Sequence, residues 1–90
     1  MHSKGKAAMT AQERRHVTRI KSMPCVVCDA EGPSEAHEIE QGSWFLSLPL
    51  CPSCHRDGFL GIHGQKRAWS VRKMDELDAL NETLRRINVV

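Results

Sequence analysis

Four cysteines stand as two Cys-x2-Cys pairs, Cys25/Cys28 and Cys51/Cys54, with 22 residues between the pairs. Two knuckles at this separation have the spacing of a structural zinc site. Each turns its backbone so that two thiolates point at one ion, and the four close a tetrahedron at about 2.3 Å per Zn–S bond. Four cysteines are also enough for two disulfides. That alternative needs an oxidising compartment, and the polar N-terminus has no apolar h-region of a signal peptide. Three histidines bracket the pairs: His37 lies between them, His55 follows Cys54 directly, and His63 comes eight residues later. A zinc held by Cys54 pins the neighbouring His55, and the segment carrying His37 is drawn in because it runs between the two pairs. The three imidazoles can then converge on a second divalent cation. His16 and His2 read as solvated.

The elements that must position these groups are short. Thr10-Ala11-Gln12-Glu13 fits a capping box and predicts a helix over 10–22 that Pro24 ends. Residues 35–40 (EAHEIE) alternate as a first strand, Gly42-Ser43 turn the chain, and Trp44–Leu50 (WFLSLPL) reads as a second strand. The second knuckle leads into a helical turn. Val71, Met74, Leu77, Leu80, Leu84 and Ile87 recur at helical spacing and predict one continuous helix over 66–88 with that stripe buried.

The chain has 90 residues, four of them aromatic, which allows one small core and no second one. No apolar run reaches the 18 residues of a membrane span. A core this small calls for a staple, and the cysteines are placed to supply it. The net charge of +2 hides an asymmetry. Residues 1–22 carry six Lys/Arg and one Glu, residues 23–64 one Arg and six Asp/Glu, and residues 65–90 six Lys/Arg and four Asp/Glu. An acidic middle rich in Cys and His suits bound cations, and basic ends suit a polyanion. Residues 1–9 read as a flexible basic tail.

The order Cys-x2-Cys, then Glu35-Ala36-His37-Glu38-Ile39, then Leu48-Pro49-Leu50-Cys51-Pro52-Ser53-Cys54-His55, then Gly61-Ile62-His63-Gly64 resembles the HNH endonucleases. It is similar in particular to the small zinc-stabilised forms of phages and prophages, including those linked to phage recombination. The resemblance covers roughly residues 23–88 and is most specific in the Leu-Pro-Leu-Cys-x2-Cys-His segment. It implies a small α+β fold: a ββα-metal (His-Me finger) core stapled by a four-cysteine zinc site, with flanking N- and C-terminal helices. The nuclease domain would then span 23–90. By the resemblance His37 takes a metal-ligand position, Glu38 stands where a general-base His is expected, His55 is a metal ligand, and His63 is an extra ligand or phosphate contact. A placement shifted by one residue makes His37 the base with Ala36 at the ligand position; a further alternative makes Glu38 itself a ligand and His37 the base. The family's Asn between the strands has no counterpart; Leu46 or Ser47 stands near its place.

The expectation is therefore a metal-dependent DNA endonuclease, phage or prophage encoded, that uses structural Zn²⁺ and a catalytic Mg²⁺ or Mn²⁺ in a cytoplasmic setting. The acidic middle implies two cations rather than one. Arg14, Arg15 and Arg19 on the first helix, with Lys66, Arg67 and Arg72 near His63, are the candidates for DNA phosphate contacts. The rival class is a non-catalytic zinc module that binds nucleic acid or protein. The few aromatics disfavour a stacking platform for single strands.

Overall fold

The computed structural model describes residues 8–56, 61–64 and 67–88. It is a small α+β arrangement: α1 (Ala11–Lys21), β1 (Glu35–Glu38), β2 (Ser47–Leu50), α2 (Pro52–Arg56), α3 (Arg67–Val71) and α4 (Glu76–Ile87). The strands pair antiparallel, with Glu35 opposite Leu50, Ala36 opposite Pro49, His37 opposite Leu48 and Glu38 opposite Ser47. No helix among the described residues is long and apolar enough to cross a membrane.

The first helix begins at its capping box. The Thr10 hydroxyl accepts from Glu13 N at 3.1 Å, and the Glu13 carboxylate accepts from Thr10 N at 2.8 Å. Only Val17 and Ile20 of this helix are buried, and through them it docks on the hairpin. The second strand is shorter than its apolar run. Trp44, Phe45 and Leu46 lie in the connection instead. Ser43 N donates to Glu40 O and Leu46 N to Ser43 O, the Ser47 hydroxyl donates to Trp44 O, and Gly42 has a φ of 86°. The chain is thus already turning at residues that composition alone assigns to strand, and it leaves Phe45 half exposed. His16, expected to be solvated, packs its ring on Phe45 with centroids 5.2 Å apart, and burial holds its pKa below the ordinary histidine value.

The single helix expected over 66–88 is two helices. Lys73 sits in the left-handed region (φ 53°), its N–H donates to Ser70 O, and Met74 N donates to Trp69 O, each at 3.0 Å. This is a Schellman stop, formed without the usual glycine. A fresh capping box then starts α4: Asp78 N donates to the Asp75 carboxylate and Asp75 N to that of Asp78. The break changes the phase of the buried face. Ala79 and Thr83 are fully buried on α4, while Val71, Leu77 and Leu84 of the expected stripe are exposed. Small side chains let the helix approach β2 closely, and the Thr83 hydroxyl is satisfied by Ala79 O at 2.8 Å.

The core is Val26, Val27, Leu48, Leu50, Ile62, Trp69 and Ala79 packed around Cys25 and Cys54. Trp69 is 2 % exposed and its Nε1 donates to Cys54 O at 3.1 Å, so one side chain joins the core to the second knuckle. Trp69→Ala is expected to lower stability by about 3–5 kcal/mol, as measured by denaturant unfolding of zinc-loaded protein. Trp69→Phe is expected to lose far less, because the Cys54 carbonyl keeps its second donor, Ile62 N at 2.8 Å.

Candidate metal centres

Both knuckles are held by the backbone of the core. Cys25 N donates to Ala30 O and Asp29 N to Cys25 O, with Asp29 at a φ of 64°, which curls the first knuckle. Val26 N donates to Pro49 O and ties that knuckle to β2. In the second, His55 N donates to Cys51 O at the start of α2. The ligand atoms of Cys25, Cys28, Cys51 and Cys54 all lie within 4.8 Å of one another, and all four thiols are free. Cys28 Sγ and Cys51 Sγ are 3.7 Å apart. A disulfide needs about 2.05 Å, whereas a tetrahedron with bonds of about 2.3 Å has an S···S edge of about 3.8 Å. The donor set therefore fits a metal ion such as zinc. Burial opposes ionisation of Cys25, but backbone hydrogen bonds at Cys51, Cys28 and Val27 outweigh it and draw that thiol below its usual range. Burial and the neighbouring Cys25 push Cys54 far up. One thiolate thus hinders the next until a cation shares the site.

The second cluster joins three elements. His37 is the buried residue of β1, His55 is in α2, and His63 reaches them through backbone bonds from Ile62 N to Cys54 O and from His63 N to His55 O. Their ring nitrogens offer a group within 4.8 Å. Ring centroids are 5.1 Å apart for His37–His55 and for His37–His63, and 4.8 Å for His55–His63.

Two carboxylates back the rings. His55 Nδ1 donates to Glu35 Oε1 at 2.8 Å, and His37 Nε2 donates to Glu76 Oε2 at 2.6 Å. Arg56 also holds Glu35, Nε to Oε1 at 3.0 Å with a second bond to Oε2. The hydrogen bond from His55 first, and Arg56 after it, hold the Glu35 carboxyl below the usual carboxylate range. With one ring nitrogen of each His donating outward, His37 Nδ1 and His55 Nε2 face each other at 3.3 Å with lone pairs. A cation between two such acceptors would satisfy both. Two ligands at about 2.0–2.1 Å on a tetrahedral ion would be about 3.4 Å apart, so the pair fits a metal.

An open pocket of about 330 Å³ lies over this cluster, lined by Ala36, His37, Glu38, Gln41, His55 and His63. Glu38 Oε1 accepts from Gly42 N at 2.7 Å, so that carboxylate braces the hairpin turn at the pocket wall. Of the candidate DNA contacts, Arg14, Arg15 and Arg19 line one open groove on α1 with Thr18 and Ser22. Arg19 also donates to Ile87 O at 3.0 Å, and Arg72 is exposed. Lys66 and the Arg67 side chain lie outside the described residues.

Sequence reasoning misses Glu35 and Glu76. Glu35 has a signal, its place two residues before His37 on the same strand face. Glu76 has none, because its contact spans 39 residues. No family model, curated protein or solved structure matches the chain.

Proposed function

We propose that this chain is a metal-dependent endonuclease of the HNH type that hydrolyses DNA phosphodiester bonds, with β1, β2 and α2 as its ββα-metal core. The observation that carries the reading is the His37–His55–His63 group, backed by two carboxylates beside a separate four-cysteine group. A protein that needed metal only as a staple would have no use for a second, open cluster next to the first. His37, His55 and His63 would hold the cation. When bound, it supplies Lewis acidity to a phosphodiester oxygen and offsets charge on the leaving 3′ oxygen. The hairpin and α2 hold the imidazoles on one side, and the pocket above them leaves room for the scissile phosphate. Glu38, which lines the pocket, would take the proton from the attacking water. Arg14, Arg15 and Arg19 are the phosphate contacts. Of Mg²⁺ and Mn²⁺, Mn²⁺ tolerates nitrogen ligands better, and three imidazoles would also accept Zn²⁺ or Ni²⁺.

The test is nicking of supercoiled plasmid by zinc-loaded protein. Conversion to the open-circular form is expected with Mn²⁺, less with Mg²⁺, and none with the second cation left out. No nicking with Mg²⁺, Mn²⁺, Co²⁺ or Ni²⁺ would sink the enzyme reading and leave a zinc module that binds nucleic acid or protein. That second reading is favoured by one observation, the engagement of Glu38 with Gly42 N.

A further inference from the structure

The two carboxylates behind the histidines are not equivalent. Glu35 is shared between His55 and Arg56, both its neighbours in the fold of the hairpin and α2. Glu76 has His37 as its hydrogen-bond partner among the described residues, and it arrives from the first position of α4. The register of α4 explains how it gets there. Glu76, Ala79 and Thr83 recur at three and four residues and share one helix face, and Ala79 and Thr83 are 0 % exposed. Seating that face against β2 is what aims Glu76 inward. The cap at Asp75 then fixes where the face begins.

We propose that Glu76 is a positioning residue of the metal centre. By accepting the Nε2–H of His37 it keeps the Nδ1 lone pair aimed at the point shared with His55 Nε2, so the cation is taken through His37 Nδ1 only while α4 is seated. The inference rests on the metal-binding part of the proposed function and not on cleavage. A neutral imidazole has one N–H and one lone pair, and a carboxylate on one nitrogen decides which is which. Without Glu76, the Nε2 and Nδ1 tautomers of His37 become comparable, and the ring loses the partner that holds its plane. Outer partners of this kind orient the ligand and raise its basicity. Linkage makes the effect reciprocal: a cation that needs α4 seated also holds α4 down.

The experiment titrates zinc-loaded protein with Co²⁺, following the visible d–d bands. Absence of thiolate-to-cobalt bands reports that the four-cysteine group keeps its zinc. Glu76→Ala is expected to weaken Co²⁺ binding about 10–100-fold, and Glu76→Gln, which keeps an acceptor oxygen and leaves the helix start intact, to recover part of that loss. In cation-free protein, long-range ¹H–¹⁵N spectra are expected to show His37 protonated at Nε2 in the parent chain and in Glu76→Gln, and a mixture of tautomers in Glu76→Ala. Unchanged Co²⁺ affinity and spectrum in Glu76→Ala overturn the proposal. So does a fall in melting temperature with the His37 tautomer unmoved, which is what a mere helix-docking contact would give. If the parent chain binds no Co²⁺ beyond its four-cysteine group, both this inference and the nuclease reading fall. If it binds Co²⁺ as expected but never nicks DNA, only the nuclease reading falls.

Discussion

Cys28→Ser or Cys51→Ser is expected to empty the four-cysteine group and abolish cooperative unfolding. The geometry says why the loss is total rather than partial. Cys25 and Cys54 are buried inside the core cluster, and Cys28 and Cys51 close the other side of the same site, 3.7 Å apart. Metal binding of this type contributes on the order of 10–16 kcal/mol in small zinc-binding peptides. A whole domain is stable by about 5–15 kcal/mol. The core here has one fully buried aromatic residue among the described residues, Trp69, and it hangs on the Cys54 carbonyl. Losing one ligand therefore removes the energy of folding itself, and it leaves three thiols of which burial and mutual repulsion raise at least Cys54. Metal analysis and thermal unfolding read the result: one zinc per chain with a sharp transition for the parent, little zinc and no transition for either variant. Parent protein that holds no zinc, with its thiols paired as disulfides, would remove the metal framework altogether.

The parts of the fold legible in the sequence are those whose chemistry is local. A Thr and a Glu three residues apart build a capping box whatever lies around them, and two Cys-x2-Cys pairs build knuckles by their own turns. The phase of the last helix is not local. The stripe from Val71 to Ile87 is regular in the sequence, but Lys73 enters the left-handed region with no glycine to announce it. The helix restarts at Asp75 on a different face. The Asp75/Asp78 cap is the available signal, a short acidic residue three before another. The second strand reads too long for a similar reason, because Trp44 and Phe45 are strand formers placed in a turn by hydrogen bonds from Ser43 and Ser47. At the site, the ligand-type residues can be read from their identity and order. The partners behind the rings are less legible: Glu35 stands on the same strand as His37, but Glu76 reaches His37 only through the packing of α4 on β2.

The largest effect on activity is expected at the histidines. His37→Ala and His55→Ala should each take plasmid nicking below detection while DNA binding, measured without added second cation, survives. Each change removes one of the two facing nitrogens 3.3 Å apart, and the arginines proposed as phosphate contacts line a separate groove on α1. Arg14→Ala with Arg15→Ala should do the converse. It weakens binding of every DNA sequence alike and flattens the log–log salt dependence by about 0.9 per lost phosphate contact. Zinc content should be unchanged in all of these, since none touches a thiol. Glu38 separates the two assignments of the proton-transfer role. If Glu38 is the base, Glu38→Ala lowers the rate by about 10²–10⁴-fold, and Glu38→His restores nicking with a pH profile moved toward neutrality, because the ordinary imidazole pKa is about 6.5 against about 4.3 for glutamate. If His37 is the base and Glu38 a ligand, Glu38→His weakens Co²⁺ binding and lowers the rate at every pH. If Glu38 serves only to hold the turn through Gly42 N, Glu38→Gln keeps that hydrogen bond and should be as active as the parent chain.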